Sequence, residues 1–297
     1  MIVLMEQLWI YVGLTLFGLC LGSFAGASVW RLRARQLEED KAQGEKVDAK
    51  EYAQLKHLHG INKAKDSSRC LHCGHELAWY DLLPLVSWLS LKGKCRYCRK
   101  PIGRLEPLIE LGVAAFFVAS FIFWPFDLVT PLAIAQFIMW LLAGVGLAIL
   151  FVYDLRWFLL PNEVMFSVIG LGIVSAVLVL LQVPDALEVL VSILSAVFIL
   201  SGIYLLIYVT SKGQWIGFGD IKLGLALALF LADWQLALLA LFIANLIGCL
   251  VVIPGMLTGK ITRTTRIPFG PFLIIGMVIA FFVGRQILAL YFHGLML

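Results

Sequence analysis

Two aspartates and four cysteines are the residues of this sequence whose types and spacing could do chemistry. Asp154 ends the apolar run Phe151-Val152-Tyr153-Asp154-Leu155-Arg156, with Pro161-Asn162 shortly after, and Asp220 closes Gly217-Phe218-Gly219-Asp220. An ionisable group at a membrane helix is costly and carries a functional hypothesis by default. Two neighbouring carboxylates can share one proton, so that one acts as base on a water while the other acts as acid toward a peptide carbonyl or leaving amine. The plainer reading makes Asp220 a helix N-cap and Asp154 a solvated interfacial charge. Gly217 and Gly219 have no side chains, so backbone there could come close to an extended peptide, or they could be ordinary loop glycines.

The cysteines form two knuckles. Cys70-Leu71-His72-Cys73 is followed, after a 21-residue gap, by Cys95-Arg96-Tyr97-Cys98. One C-x-x-C is ambiguous with redox chemistry, but two at this separation can give four thiolates to one tetrahedral Zn²⁺, as in zinc ribbons. Lys92, Lys94, Arg96, Arg99 and Lys100 surround the second knuckle and would offset the negative charge of the site. Four protein ligands close the coordination shell, so such a zinc is structural. His72 and His75 are read as bystanders and Cys20 as a packing residue; Cys20 and Cys249 sit alone in apolar runs, with no disulfide role.

Other chemistries find no foothold. The sequence has no Ser-His-Asp arrangement and no H-E-x-x-H motif. Gly217 and Gly219 lack the strand-to-helix setting of a dinucleotide loop. Glu106, Glu110 and Glu163 fall at helix starts, where interfacial carboxylates are unremarkable.

The elements that must position these groups are membrane helices. Of 297 residues, 61% are hydrophobic and 14% charged, and the mean hydropathy is +0.95. Several apolar runs reach the roughly 20 residues needed to cross about 30 Å of hydrocarbon, and they lack the alternation of barrel strands. The expected fold is an all-α polytopic membrane protein. It has about eight transmembrane helices, near 8–30, 106–124, 131–152, 162–183, 187–210, 221–232, 235–257 and 270–292, the sixth being short for a full span. A zinc-ribbon-like insert follows the first helix. The expected division is a first transmembrane helix (1–30), a cytoplasmic domain with the four-cysteine zinc site (31–105) and a seven-helix membrane protease domain (106–297). Within the insert, the polar stretch 36–68 reads equally as a solvated helix or a flexible arm.

Charge fixes the expected orientation. The segment 31–105 holds 16 of the 23 Lys and Arg residues. An N-terminus outside places this segment, Arg156, the loop at 211–220 with Lys222, and Lys260, Arg263 and Arg266 on the cytoplasmic side, leaving only Arg285 as an exception. The opposite loops carry Asp127, Asp185, Glu188 and Asp233 with no Lys or Arg. Two spans, one out and one back, separate Asp154 from Asp220. Both carboxylates therefore sit at the cytoplasmic boundary at similar depth.

With these residues in order, the chain resembles the type IV prepilin peptidases, membrane members of the Gly-x-Gly-Asp aspartyl protease group. The likeness covers nearly the whole length. It runs through Gly22-Ser23-Phe24 and Arg31-Leu32, both knuckles, and the intervening Ala78-Trp79-Tyr80-Asp81-Leu82-Leu83-Pro84. Beyond these come Asp154, Leu160-Pro161-Asn162, Gly217-Phe218-Gly219-Asp220 with Ile221-Lys222-Leu223, and Pro268-Phe269-Gly270-Pro271. The resemblance implies a catalytic pair at Asp154 and Asp220 that cuts a short basic leader from prepilins or pseudopilins at the cytoplasmic face of the bacterial inner membrane. It also implies N-methylation of the new N-terminus with S-adenosylmethionine, for which the sequence shows no binding signature of its own. Expected partners are those substrates and the lipid bilayer, not nucleic acid. Gly26 departs from the Asn that many relatives carry, and Asn162 from the Asp that a number carry. Two other classes compete: a transporter, which would spread its acids through the membrane, and a zinc-ribbon adaptor, which would need neither aspartate.

Overall fold

The computed structural model describes residues 2–60, 67–262 and 265–295, so the basic residues Lys63, Lys65 and Arg263 of the loop comparison lie outside the described residues. The described residues are all-helical, apart from two isolated β-bridges. Among the described residues seven helices are long and apolar enough to cross a membrane, and the chain is a multi-pass membrane protein. It divides into two compact units, residues 1–119 and 120–297.

In the first unit, α1 (Ile2–Ala42) packs on α4 (Leu105–Ile122). Gly18 and Gly22 make this possible. A Cβ on Gly18 would lie 2.7 Å from Ala114 Cα, and one on Gly22 would lie 2.6 Å from Glu110 Cα. Small residues four apart let two membrane backbones approach where lipid supplies no hydrophobic drive. Helix α1 does not stop near Trp30. The residues after it, Arg31 to Ala42, include no Gly or Pro to end a helix, and Ala34 and Leu37 bury against Leu55 and Leu58. Arg33 grips Glu51 through two nitrogens, at 2.6 and 3.1 Å. Asp48 caps the short α2 (Ala49–Gln54) that brings Glu51 there. Much of the stretch left open between helix and arm is therefore helical and packed.

The second unit is built around α9 (Phe218–Leu231), a 14-residue helix with eight buried residues. At 1.5 Å per residue this is roughly 21 Å, too short to span alone. Around it stand α5 (Pro131–Trp157), α6 (Asn162–Leu180), α10 (Trp234–Leu257), α11 (Gly270–Leu295) and a rod of α7 (Ala186–Val197) and α8 (Ile203–Thr210) joined by a π turn at Phe198–Gly202. Tryptophan anchors this bundle: buried Trp140 of α5 stacks on Phe281 of α11 at 4.0 Å and donates its ring N–H to Ser120 at 2.9 Å.

The π turn and α9 touch backbone to backbone. A Cβ on Gly224 would lie 1.9 Å from the Leu200 carbonyl oxygen, and the Ser201 hydroxyl donates to the Ile221 carbonyl at 2.9 Å. Alanine favours an isolated helix over glycine by about 1 kcal/mol, yet here its methyl has no room. Gly224→Ala is expected to destabilise the protein by about 1–3 kcal/mol, seen as a lower unfolding midpoint in detergent; a midpoint at or above wild type would contradict this packing.

Candidate active site and thiolate cluster

Asp154 lies in the last turn of α5 and is only 6% exposed. The helix ends just beyond it, because Phe158 takes a left-handed conformation (φ 56°) and donates its N–H to the Asp154 carbonyl at 2.9 Å. A non-glycine residue in that region is strained, but it turns the chain sharply into Leu160-Pro161-Asn162 and the start of α6. The Asp154 carboxylate accepts the backbone N–H of Gly270 at 2.9 Å in a buried contact. A Cβ on Gly270 would come within 2.7 Å of the same oxygen. A side chain there would push the carboxylate out of this position.

Asp220 sits in the first turn of α9, half-buried, with its N–H donated to Gly217 O at 3.1 Å. The two carboxylates lie within electrostatic reach of each other. Among the described residues no cation pairs with either of them. Gly219 serves packing: a Cβ there would meet Leu160 at 3.0 Å, so the loop after α5 nests on the start of α9. Lys222 fastens the same junction, donating to Asn162 Oδ1 at 2.6 Å. An Asp at 162 would turn this hydrogen bond into an ion pair. Three chain segments thus bring Asp154 and Asp220 together. Sequence reading missed the part of Gly270, whose signal was its place in Pro268-Phe269-Gly270-Pro271.

In the first unit the four cysteine sulfurs all lie within 4.8 Å of one another. Cys70 Sγ and Cys98 Sγ are 3.9 Å apart, close to the roughly 3.8 Å expected between sulfurs at tetrahedral Zn–S lengths near 2.3 Å. The two knuckles repeat one design. Gly74 N–H bonds to Cys70 O and Cys70 N–H to His75 O; likewise Arg99 N–H bonds to Cys95 O and Cys95 N–H to Lys100 O. Gly74 and Arg99 both take positive φ, 72° and 59°, and a β-bridge flanks each turn.

Burial pushes the Cys70 thiol up to about 12, so a lone thiolate is disfavoured there and a bound cation would supply what it lacks. His75 packs against Tyr97 with the rings tilted and their centroids 3.6 Å apart. Asp81 ties the insert to the second knuckle, accepting from Arg96 at 2.7 Å, Tyr97 at 2.9 Å and Ala78 N–H at 3.3 Å. Burial alone would raise the Asp81 carboxyl, but the Arg96, Tyr97 and Ala78 hydrogen bonds outweigh it and hold it below the usual carboxylate range. Such a group stabilises the fold above its unfolded pKa, and that contribution is lost as pH falls through the folded one.

Of the helix-start carboxylates, Glu110 is buried and accepts Leu85 N–H at 2.8 Å, while Glu106 accepts the Trp30 ring N–H at 3.0 Å. Both brace the first unit.

Comparison with known proteins fits this geometry. Residues 16–124 match the bacterial peptidase A24 N-terminal domain, and residues 140–253 match the type IV leader peptidase family. The prepilin leader peptidase/N-methyltransferase of Pseudomonas aeruginosa is 30% identical over 281 residues, 93% of this chain and 91% of that protein. The chain belongs to the type IV leader peptidase family. Proteins of the same name from Stutzerimonas stutzeri and Legionella pneumophila are each 29% identical, over 92% and 95% of this chain and 91% and 94% of theirs. No solved structure matches the chain. Membership bears out the resemblance read from the sequence, and the all-helical membrane fold agrees with it.

The Gly270 contact yields a direct test. Gly270→Ala is expected to displace the Asp154 carboxylate and lower peptidase activity by about 10²-fold or more, as small misplacements in active sites do, while the protein remains folded. Wild-type activity in that variant would rule out the contact.

Proposed function

We propose that this chain cleaves the short basic leader from type IV prepilins or pseudopilins and then methylates the new N-terminus. The observation that carries the peptidase reading is the convergence of Asp154 and Asp220 from separate helices, near one another and without a cation. In the proposed reaction one carboxylate takes a proton from a water, whose oxygen adds to the scissile carbonyl carbon. The other carboxyl gives its proton to the carbonyl oxygen. Collapse breaks the C–N bond as a proton passes to the leaving amine, giving a leader carboxylate and a free N-terminal amine. Gly270 N–H orients Asp154 throughout. Asp220, the more accessible of the two, faces the entering peptide.

Cys70, Cys73, Cys95 and Cys98 would hold one Zn²⁺, which supplies folding energy to the insert and no chemistry, since its four thiolates leave no open position. S-adenosylmethionine would supply the methyl group. It is a sulfonium cation, and in the first unit Glu106 Oε2 is a buried oxygen with no hydrogen-bond partner among the described residues, next to Gly103. The distribution of Lys and Arg supports an N-terminus outside the inner membrane and an active site at its cytoplasmic face, where a basic leader and the adjoining apolar stretch of a prepilin would be presented together.

Co-expression of a prepilin with wild type, Asp154→Asn or Asp220→Asn, followed by mass spectrometry of the pilin N-terminus, tests both activities. Wild type is expected to yield cut product carrying one added methyl group, and both variants uncut precursor. Cleavage by either folded, membrane-inserted variant would remove the aspartate pair from the mechanism.

A further inference from the structure

Tyr204 is a buried polar group that the two-aspartate reaction leaves unused. It lies on α8, one residue into the helix after the π turn, and is 6% exposed. Its hydroxyl is buried and has no hydrogen-bond partner among the described residues. Leaving a hydroxyl in that state is costly, and phenylalanine would fill the same space without the penalty.

The surroundings place Tyr204 beside the aspartate pair. Asp220 lies within its electrostatic reach. The Tyr204 ring packs edge-on against Phe269 at 5.8 Å between centroids, and Phe269 precedes the glycine whose N–H holds Asp154. Tyr204 is therefore braced against the segment that fixes one carboxylate and close to the other. The π turn sets its direction. An extra residue in a helical turn rotates everything after it by about 100° relative to a regular helix. This turn is pinned to α9 through Ser201 and Ile221 O at 2.9 Å, one residue past Asp220. π turns recur at functional sites.

We infer that Tyr204 is a third catalytic group, whose O–H donates a hydrogen bond to the scissile carbonyl oxygen as the tetrahedral intermediate forms. This rests on the peptidase reading above. The carbonyl oxygen has two acceptor sites; one takes the proton from the acidic carboxyl and the other accepts from the phenol, which keeps its own proton throughout. The missing hydrogen-bond partner of the free enzyme is then the substrate itself. A donor placed where charge develops, and unused beforehand, acts mainly on the transition state.

The test compares wild type, Tyr204→Phe, Asp154→Asn and Asp220→Asn as full chains in lipid vesicles with a prepilin substrate. Tyr204→Phe keeps the ring against Phe269 and deletes only the hydroxyl. Its kcat is expected to fall about 10²-fold with KM little changed. Its unfolding midpoint should equal or exceed that of wild type, since an unpartnered hydroxyl is removed and no bond is lost. A peptide bearing a hydroxylated tetrahedral carbon at the scissile position should bind the variant more weakly by a similar factor. Wild-type kcat in Tyr204→Phe, or a loss of kcat accompanied by a lowered midpoint, would overturn the role. If the aspartate variants are dead while Tyr204→Phe cuts normally, this inference fails alone; if they cut, the peptidase reading fails and takes it along.

Discussion

The arrangement of the second unit depends on one constraint, a carboxylate buried at the end of a membrane helix with a single backbone N–H to hold it. Asp154 is 6% exposed and accepts from Gly270. Burying such a group without a cation is expensive, so its neighbours must be placed to make the arrangement tolerable. Phe158 breaks α5 immediately after it. The Pro268-Phe269-Gly270-Pro271 segment comes back across 116 residues of chain to supply the N–H. Glycine at the contact leaves the carboxylate where it is, since any side chain there would displace it.

A short central helix completes the site. With 14 residues, α9 need not reach both faces of the bilayer, and its first turn brings Asp220 to its partner. Its small residues admit close neighbours on two sides: Gly219 receives Leu160, and Gly224 receives the carbonyl of Leu200. Side chains larger than hydrogen would hold α9 away from the elements that carry Asp154 and Tyr204. Glycines here set distances between backbones, and only secondarily leave room for a peptide.

The sequence makes the reactive parts legible, because they depend on local spacing and on counting spans. Two apolar runs between Asp154 and Asp220 suffice to return both to one face, and two C-x-x-C pairs suffice to predict a cluster whose sulfurs lie within 4.8 Å. The supports are not legible in this way. Gly270 is joined to Asp154 by a contact with no sequence periodicity. Tyr204 lies in an unbroken apolar run, and nothing local announces a π turn at Phe198–Gly202. The extension of α1 to Ala42 is half visible: helix formers without a breaker permit it, but burial of Leu37 against Leu55 and Leu58 decides it. Glu110 was unremarkable as a helix-start carboxylate because its partner, Leu85 N–H, sits in the irregular stretch before α3 (Val86–Ser90).

The mechanism requires Asp154 and Asp220 to act as one unit. Single-turnover cleavage rates of wild type, Asp154→Asn, Asp220→Asn and the double variant test this most directly. If one shared proton serves both steps, the double variant is no slower than the slower single variant, because removing either member already disables the pair. Multiplicative losses in the double variant would show two carboxylates working independently, and the shared-proton mechanism would be wrong.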